Sequence, residues 1–120
     1  MWAEWYRHLA EAGLPPHKQM PRSLWTWEVR AEVADLSSDE RLHRVGLEPP
    51  VPGRRTWPEY QDVGEALFRE GWSGLIAPSA ARREGRVLCL FRPGDEIPGR
   101  PVGRARVVRE PPVPPTGMTT

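Results

Sequence analysis

Fifteen prolines and eleven glycines are scattered through 120 residues, so no helix or strand can run far before it loses a backbone donor or opens into a turn. Coiled coils and long helical repeats are thereby excluded. The chain must be built from short elements joined by firm turns. At this length they form one domain, and with 38% apolar and 28% charged residues a packed core is within reach. Seventeen Lys plus Arg against sixteen Asp plus Glu leave a net charge of +1. That balance argues neither for direct nucleic-acid binding nor for a membrane surface. Cys89 is the only cysteine, so no internal disulfide is available and the cytoplasm is the expected compartment. The N-terminus carries Glu4, Arg7 and His8 where a leader would be apolar, and the longest apolar run, Val87 to Phe91, is far too short to span a bilayer.

Periodicity places the elements. Trp2, Trp5, Tyr6, Leu9 and Ala12 recur at helical steps, and Gly13 and Pro15 end that helix. Trp25, Trp27, Val29, Ala31 and Val33 alternate with polar residues, which predicts one half-buried strand with Trp27 in the core. Ser37 and Glu40 form a capping box for a short helix from about Ser38 to Val45, stopped by Gly46. A proline-rich loop follows from Glu48 to Arg55. Thr56, Pro58 and Glu59 then open a third helix whose stripe is Tyr60, Val63 and Leu67 with Ala66 and Phe68 alongside, ended by Gly71. Gly74 to Ala77 and Val87 to Phe91 read as buried strands around a charged hairpin loop, and Ala105 to Val108 as a last strand. Residues 1–110 make the domain; 111–120 read as a frayed proline-rich tail with no role in a core. The interleaving predicts an α+β fold, a small mixed sheet with packed helices.

Few residues carry chemistry. His8, His17 and His43 match no metal-ligand spacing, and no phosphate-binding loop or hydrolase elbow occurs. Cys89, inside an apolar run, reads as a core thiol. Eight arginines between Arg82 and Arg109 are interrupted by acids and read as a solvated face. Two features remain. Ser79, in Pro78-Ser79-Ala80, sits at a strand end, where sheets commonly present ligand-contacting groups but where turn serines are also common. Glu4 lies between Trp2 and Trp5, either desolvated for a purpose or on the wet edge of the stripe.

The order of several segments adds to this. Ala3-Glu4 at the start of an amphipathic helix, Ala34-Asp35-Leu36-Ser37, Gly71-Trp72-Ser73-Gly74-Leu75-Ile76-Ala77-Pro78-Ser79-Ala80, and Val87-Leu88-Cys89-Leu90-Phe91 together resemble the RES family over residues 3 to about 92. That resemblance implies a bacterial toxin with a fold similar to ADP-ribosyltransferases, one that consumes NAD by hydrolysis, phosphorolysis or ADP-ribosyl transfer. It also implies an Xre-like antitoxin partner. Glu4 would correspond to the family glutamate and Ser79 to the family serine. Glu4 would stabilise the positive charge that builds on the ribose as nicotinamide departs. Ser79 would orient NAD, with Trp5 and Trp72 as candidates for ring stacking.

The likeness has gaps. The family Arg and Tyr lie upstream of the Glu, where this chain has only three residues, and neither Gly85 nor Arg86 replaces a family Asn. Tyr6 and Arg7 follow Glu4 on the helix and are expected to face elsewhere. The expectation is therefore a RES domain represented by its C-terminal four-fifths. The alternative is a non-catalytic RES remnant serving as an interaction module, binding an antitoxin or a second copy of itself.

Overall fold

Trp2–Ala12 forms helix α1 in the computed structural model, which describes residues 1–51, 57–82, 84–91 and 96–115. Gly13 ends it at φ 68°, donating to the Ala10 carbonyl at 3.2 Å, while the Leu14 N–H reaches the Leu9 carbonyl at 2.9 Å. Ala3 and Leu9 are the helix residues buried against the body.

The alternating segment divides between two sheets. Strand β1, Arg22–Val29, leads to a break at Arg30 and then to β2, Val33–Asp35. β1 pairs antiparallel with β5, Gly99–Val108, with Arg22 opposite Val108 and Val29 opposite Gly99. β2 instead runs parallel to β3, Gly74–Pro78, whose other edge pairs antiparallel with β4, Arg86–Leu90. The result is a two-stranded ribbon and a three-stranded sheet of order β2-β3-β4. The fold is mixed α+β, as expected.

Three expectations need correction. Trp25 and Trp27 are 55% and 41% exposed, so Trp27 is no core residue. Alternation shows which residues share a face of a strand, but it does not show that anything covers that face. β4 is an edge strand with Val87, Leu88 and Cys89 exposed, and the Cys89 thiol is no core group. A short apolar run does not reveal whether one or both faces will be packed. Finally, the helix α2, Asp39–Arg44, is capped by Ser38, whose Oγ accepts from the Arg41 N–H at 3.2 Å. Ser37 donates its hydroxyl to Asp35 Oδ1 instead.

Helix α3, Trp57–Arg69, lays Tyr60, Val63 and Leu67 on a core of Leu36, Leu42, Leu47, Leu75 and Ala77. Gly71, at φ 96°, releases the chain into β3. Its expected cap Thr56 lies outside the described residues, as do residues 116–120 of the tail. Residues 111–115 return to α1, where the Tyr6 hydroxyl donates to the Pro112 carbonyl. β5 is longer than the predicted Ala105–Val108. No helix among the described residues is long and apolar enough to cross a membrane.

Gly74 is where β3 and β4 approach most closely. A Cβ there would overlap the Cys89 carbonyl oxygen and stand 3.2 Å from Leu90 Cα. Both obstacles are backbone and cannot rotate away. Gly74→Ala is therefore expected to destabilise the domain by about 1–3 kcal/mol, read as a lower urea midpoint. An unchanged midpoint would refute that strand contact.

Candidate functional site

Ser79 leaves the buried strand β3 directly after Pro78 and is itself only 7% exposed. Its N–H donates to the Gly85 carbonyl at 2.9 Å, and the Gly85 N–H donates to the Arg82 carbonyl at 2.9 Å, closing the turn toward β4. Inside that turn the Ser79 Oγ accepts from the N–H groups of Ala81 and Arg82, at 3.1 and 3.2 Å. Its own hydrogen is then committed. It goes to Glu4 Oε1 at 2.6 Å, joining two residues 75 positions apart.

Glu4 reaches the turn because burial of Ala3 and Leu9 seats α1 with its first turn against the end of β3. The second carboxylate oxygen, Oε2, accepts from Arg7 Nη2 at 3.0 Å and Nε at 3.2 Å. Arg7 also donates to Glu11 Oε1 at 2.8 Å. The expectation that Arg7 faces elsewhere is thus corrected: residues three apart on a helix share a face. Tyr6, in contrast, turns to Pro112.

Burial works against ionisation of Glu4, but the Ser79 hydroxyl, the Arg7 guanidinium and the Ala81 N–H outweigh it and hold the carboxyl below the usual glutamate range. A depressed folded-state value has a definite consequence. The stability Glu4 contributes is complete above its ordinary value of 4.5 and is lost as pH falls through the lower folded value. Asp35 is depressed too, by the Ser37 hydroxyl and N–H and by Arg41. Urea midpoints recorded between about pH 6 and about pH 3 should therefore fall in both the parent chain and Glu4→Gln, and less steeply in the variant. Parallel curves would mean that Glu4 is not ionised by this network.

Of the dyad, Glu4 but not Ser79 lines a cleft of about 870 Å³, together with Arg7. Its walls are apolar: Trp57, Tyr60 and Phe68 from α3, and Leu75, Val87 and Phe91 from the sheet side. Phe68 and Phe91 meet edge to face at 6.3 Å. The Tyr60 hydroxyl donates to the Glu48 carbonyl at 2.8 Å, and burial, followed by the Glu48 carboxylate, pushes it up to about 12, so it stays a neutral donor. On the other side of the dyad, Glu4 and Ser79 line a smaller hollow of about 200 Å³ with Trp2, Arg82 and Arg86.

Sequence reasoning named Glu4 and Ser79, and they meet. Trp5 and Trp72 do not join them. Trp5 packs edge to face on Trp2 and Tyr6 and lines a separate hollow with His8 and Leu24. Trp72 follows the end of α3, 38% exposed, and lines none of these three hollows. The aromatic wall comes from Trp57, Tyr60, Phe68 and Phe91, of which Tyr60 and Phe68 were legible only as a packing stripe. Among the described residues no three of His, Cys, Asp and Glu gather to hold a metal ion.

Chemically, this is a positioned carboxylate beside a roomy apolar cleft, not an activated nucleophile. Both acceptor positions of Ser79 Oγ are filled by backbone N–H groups, and no stronger base than the carboxylate is at hand to take its proton. Comparison with protein-family models, with curated proteins and with solved structures finds no significant match to this chain.

Proposed function

We propose that the chain is a RES-type domain that cleaves the bond between nicotinamide and ribose in NAD. The observation that supports this reading is the 2.6 Å hydrogen bond between Glu4 and Ser79. Those two residues were singled out by the resemblance and stand on different elements. The rest of the site is consistent with the chemistry. As the C1′–N bond breaks, its electron pair leaves with nicotinamide, which departs neutral and needs no general acid. Positive charge remains on the ribose, and an ionised Glu4 lowers the energy of that state. In hydrolysis a water oxygen then bonds to C1′ and releases a proton, giving ADP-ribose; phosphate or a protein side chain would take the same place in phosphorolysis or transfer.

Ser79 fixes the carboxylate's direction, and the wall of Tyr60, Phe68 and Phe91 offers flat apolar surface to an aromatic ring. Arg7 is the cation beside the dyad in the same cleft, and a pyrophosphate entering there would meet it. Trp5 and Trp72 have no part in this arrangement. The cleft volume falls within the range of small-molecule sites. A cytoplasmic toxin held by an Xre-like antitoxin is the setting this reading implies.

One feature favours a second reading, a non-catalytic module in which the dyad is a staple. Both Glu4 oxygens and the Ser79 hydroxyl already have partners within the chain. Incubating the purified chain with NAD and following free nicotinamide separates the two. Steady release supports the enzyme; NAD left intact by folded protein supports the staple and defeats the proposal.

A further inference from the structure

Gly13 and Gly71 answer a need of the backbone, a positive φ at the end of a helix, and Gly74 leaves room for a facing strand. Gly64 answers neither. It stands midway along α3 with helical backbone, where glycine weakens a helix relative to alanine because it gives up more conformational freedom on folding. No steric bar accounts for it either. A Cβ on Gly64 would stand 3.6 Å from Phe91 Cε1 and 3.9 Å from Phe91 Cζ, both ordinary van der Waals separations. Outside its own helix it would meet no other atom of the described residues within 4 Å.

What a side chain at this position would take is room in the large cleft. Gly64 is half-buried and lines that cleft, on the helix face it shares with Gln61, three residues before it, and Phe68, four residues after it. Phe91 stands across from it and meets Phe68 edge to face. A side chain longer than a methyl group would either run beside the Phe91 ring into the cleft or push that ring aside. Either way the space between α3 and Phe91 shrinks. The helix thus gives up stability at the one point of its cleft-facing stripe where a side chain would narrow the aromatic wall.

We propose that Gly64 is a specificity-determining residue, whose missing side chain leaves the slot that admits the nicotinamide ring of the substrate beside Phe91. The proposal rests on the reading of this cleft as the site of NAD cleavage, and adds what limits the size of the ring. Glu4 lines the same cleft, so the ring on the bond that Glu4 attends is the one that enters here. Gly64 offers no group to the chemistry. It acts on the fit of the ring and leaves the cleavage step to Glu4.

Gly64→Ala and Gly64→Leu, both good helix formers, test this in the full chain. Gly64→Ala should raise the thermal midpoint by about 2–5 °C while raising KM for NAD about threefold. Gly64→Leu should raise KM at least about tenfold. In both, kcat should stay within about threefold of the parent, because Glu4 and Ser79 are untouched. Inhibition by free nicotinamide should weaken by the same factor as KM rises, and inhibition by ADP-ribose should not change. A lower midpoint in Gly64→Ala would show that the glycine serves packing against Phe91 and would overturn the proposal. So would an unchanged KM, or an equal loss of inhibition by nicotinamide and ADP-ribose. If Gly64→Leu does not fold, Gly64→Ala decides on the same readouts. Failure of the parent itself to release nicotinamide is a different result: it defeats the NAD reading and takes this proposal with it, whereas an active parent with indifferent variants defeats this proposal alone.

Discussion

Glu4→Gln is expected to reduce nicotinamide release from NAD by a factor of about 10² to 10³ while leaving the fold in place. The amide keeps the shape of the carboxyl and can still accept from the Ser79 hydroxyl. What it loses is the charge that, on the proposed reading, would face the developing cation. The accompanying loss of the Arg7 pair is a small matter for stability, because that pair joins residues three apart on one helix and both are partly solvated. A melting temperature within a few degrees of the parent, together with the loss of turnover, is the expected pairing. Loss of turnover accompanied by unfolding would point to a staple, and full turnover in the variant would remove Glu4 from the chemistry.

The largest effect on stability is expected elsewhere. Leu42, in the six-residue helix α2, is fully buried and packs in the cluster with Leu36, Leu47, Leu75 and Ala77. Leu42→Ala deletes three carbons from that cluster and should cost about 2–5 kcal/mol, depending on how far the neighbours collapse into the gap. For a domain of this size that is a large part of the total stability. Trp27→Ala removes a much larger side chain, yet at 41% exposure it should cost less than the leucine. Urea titrations of the two variants settle the order. If the tryptophan variant were the weaker, the ribbon would be part of the core after all.

That ordering shows where sequence reasoning succeeds and where it stops. The bounds of α1 and of β3 were legible because glycine and proline stand where the backbone needs them. Gly13 takes a positive φ at the end of α1, and Pro78 closes β3 before the Ser79 turn. The stripe of Tyr60, Val63 and Leu67 was legible for the same kind of reason, since helical spacing fixes a face and the face found a core. Coverage, in contrast, is a property of the assembled layers. Nothing in the pattern from Trp25 to Val33 says that Arg30 ends one sheet and Val33 begins another. The exposure of Cys89 followed from β4 lying at a sheet edge, which no local run of residues encodes.

The candidate site divides in the same way. Glu4 and Ser79 were found through a resemblance in the order of segments, not through any local motif, and their contact spans most of the chain. Arg7 needed only the rule that residues three apart share a helix face. The aromatic wall needed the fold itself, because Phe68 comes from α3 and Phe91 from the position just after β4, and only packing brings them edge to face. Trp5 and Trp72 illustrate the converse. Closeness in sequence to a site residue, one position from Glu4 in the first case, does not place a ring in the cleft.

The central claim is that the Glu4 carboxylate faces the anomeric carbon of a bound dinucleotide. A crystal structure of Glu4→Gln soaked with NAD measures this directly, since the substitution keeps the shape of the site while slowing turnover. The account predicts the nicotinamide ribose C1′ within about 3–3.5 Å of the side chain at position 4, with the pyridine ring against the wall of Tyr60 and Phe91. A dinucleotide bound in ordered form with its nicotinamide ribose away from that side chain would contradict it.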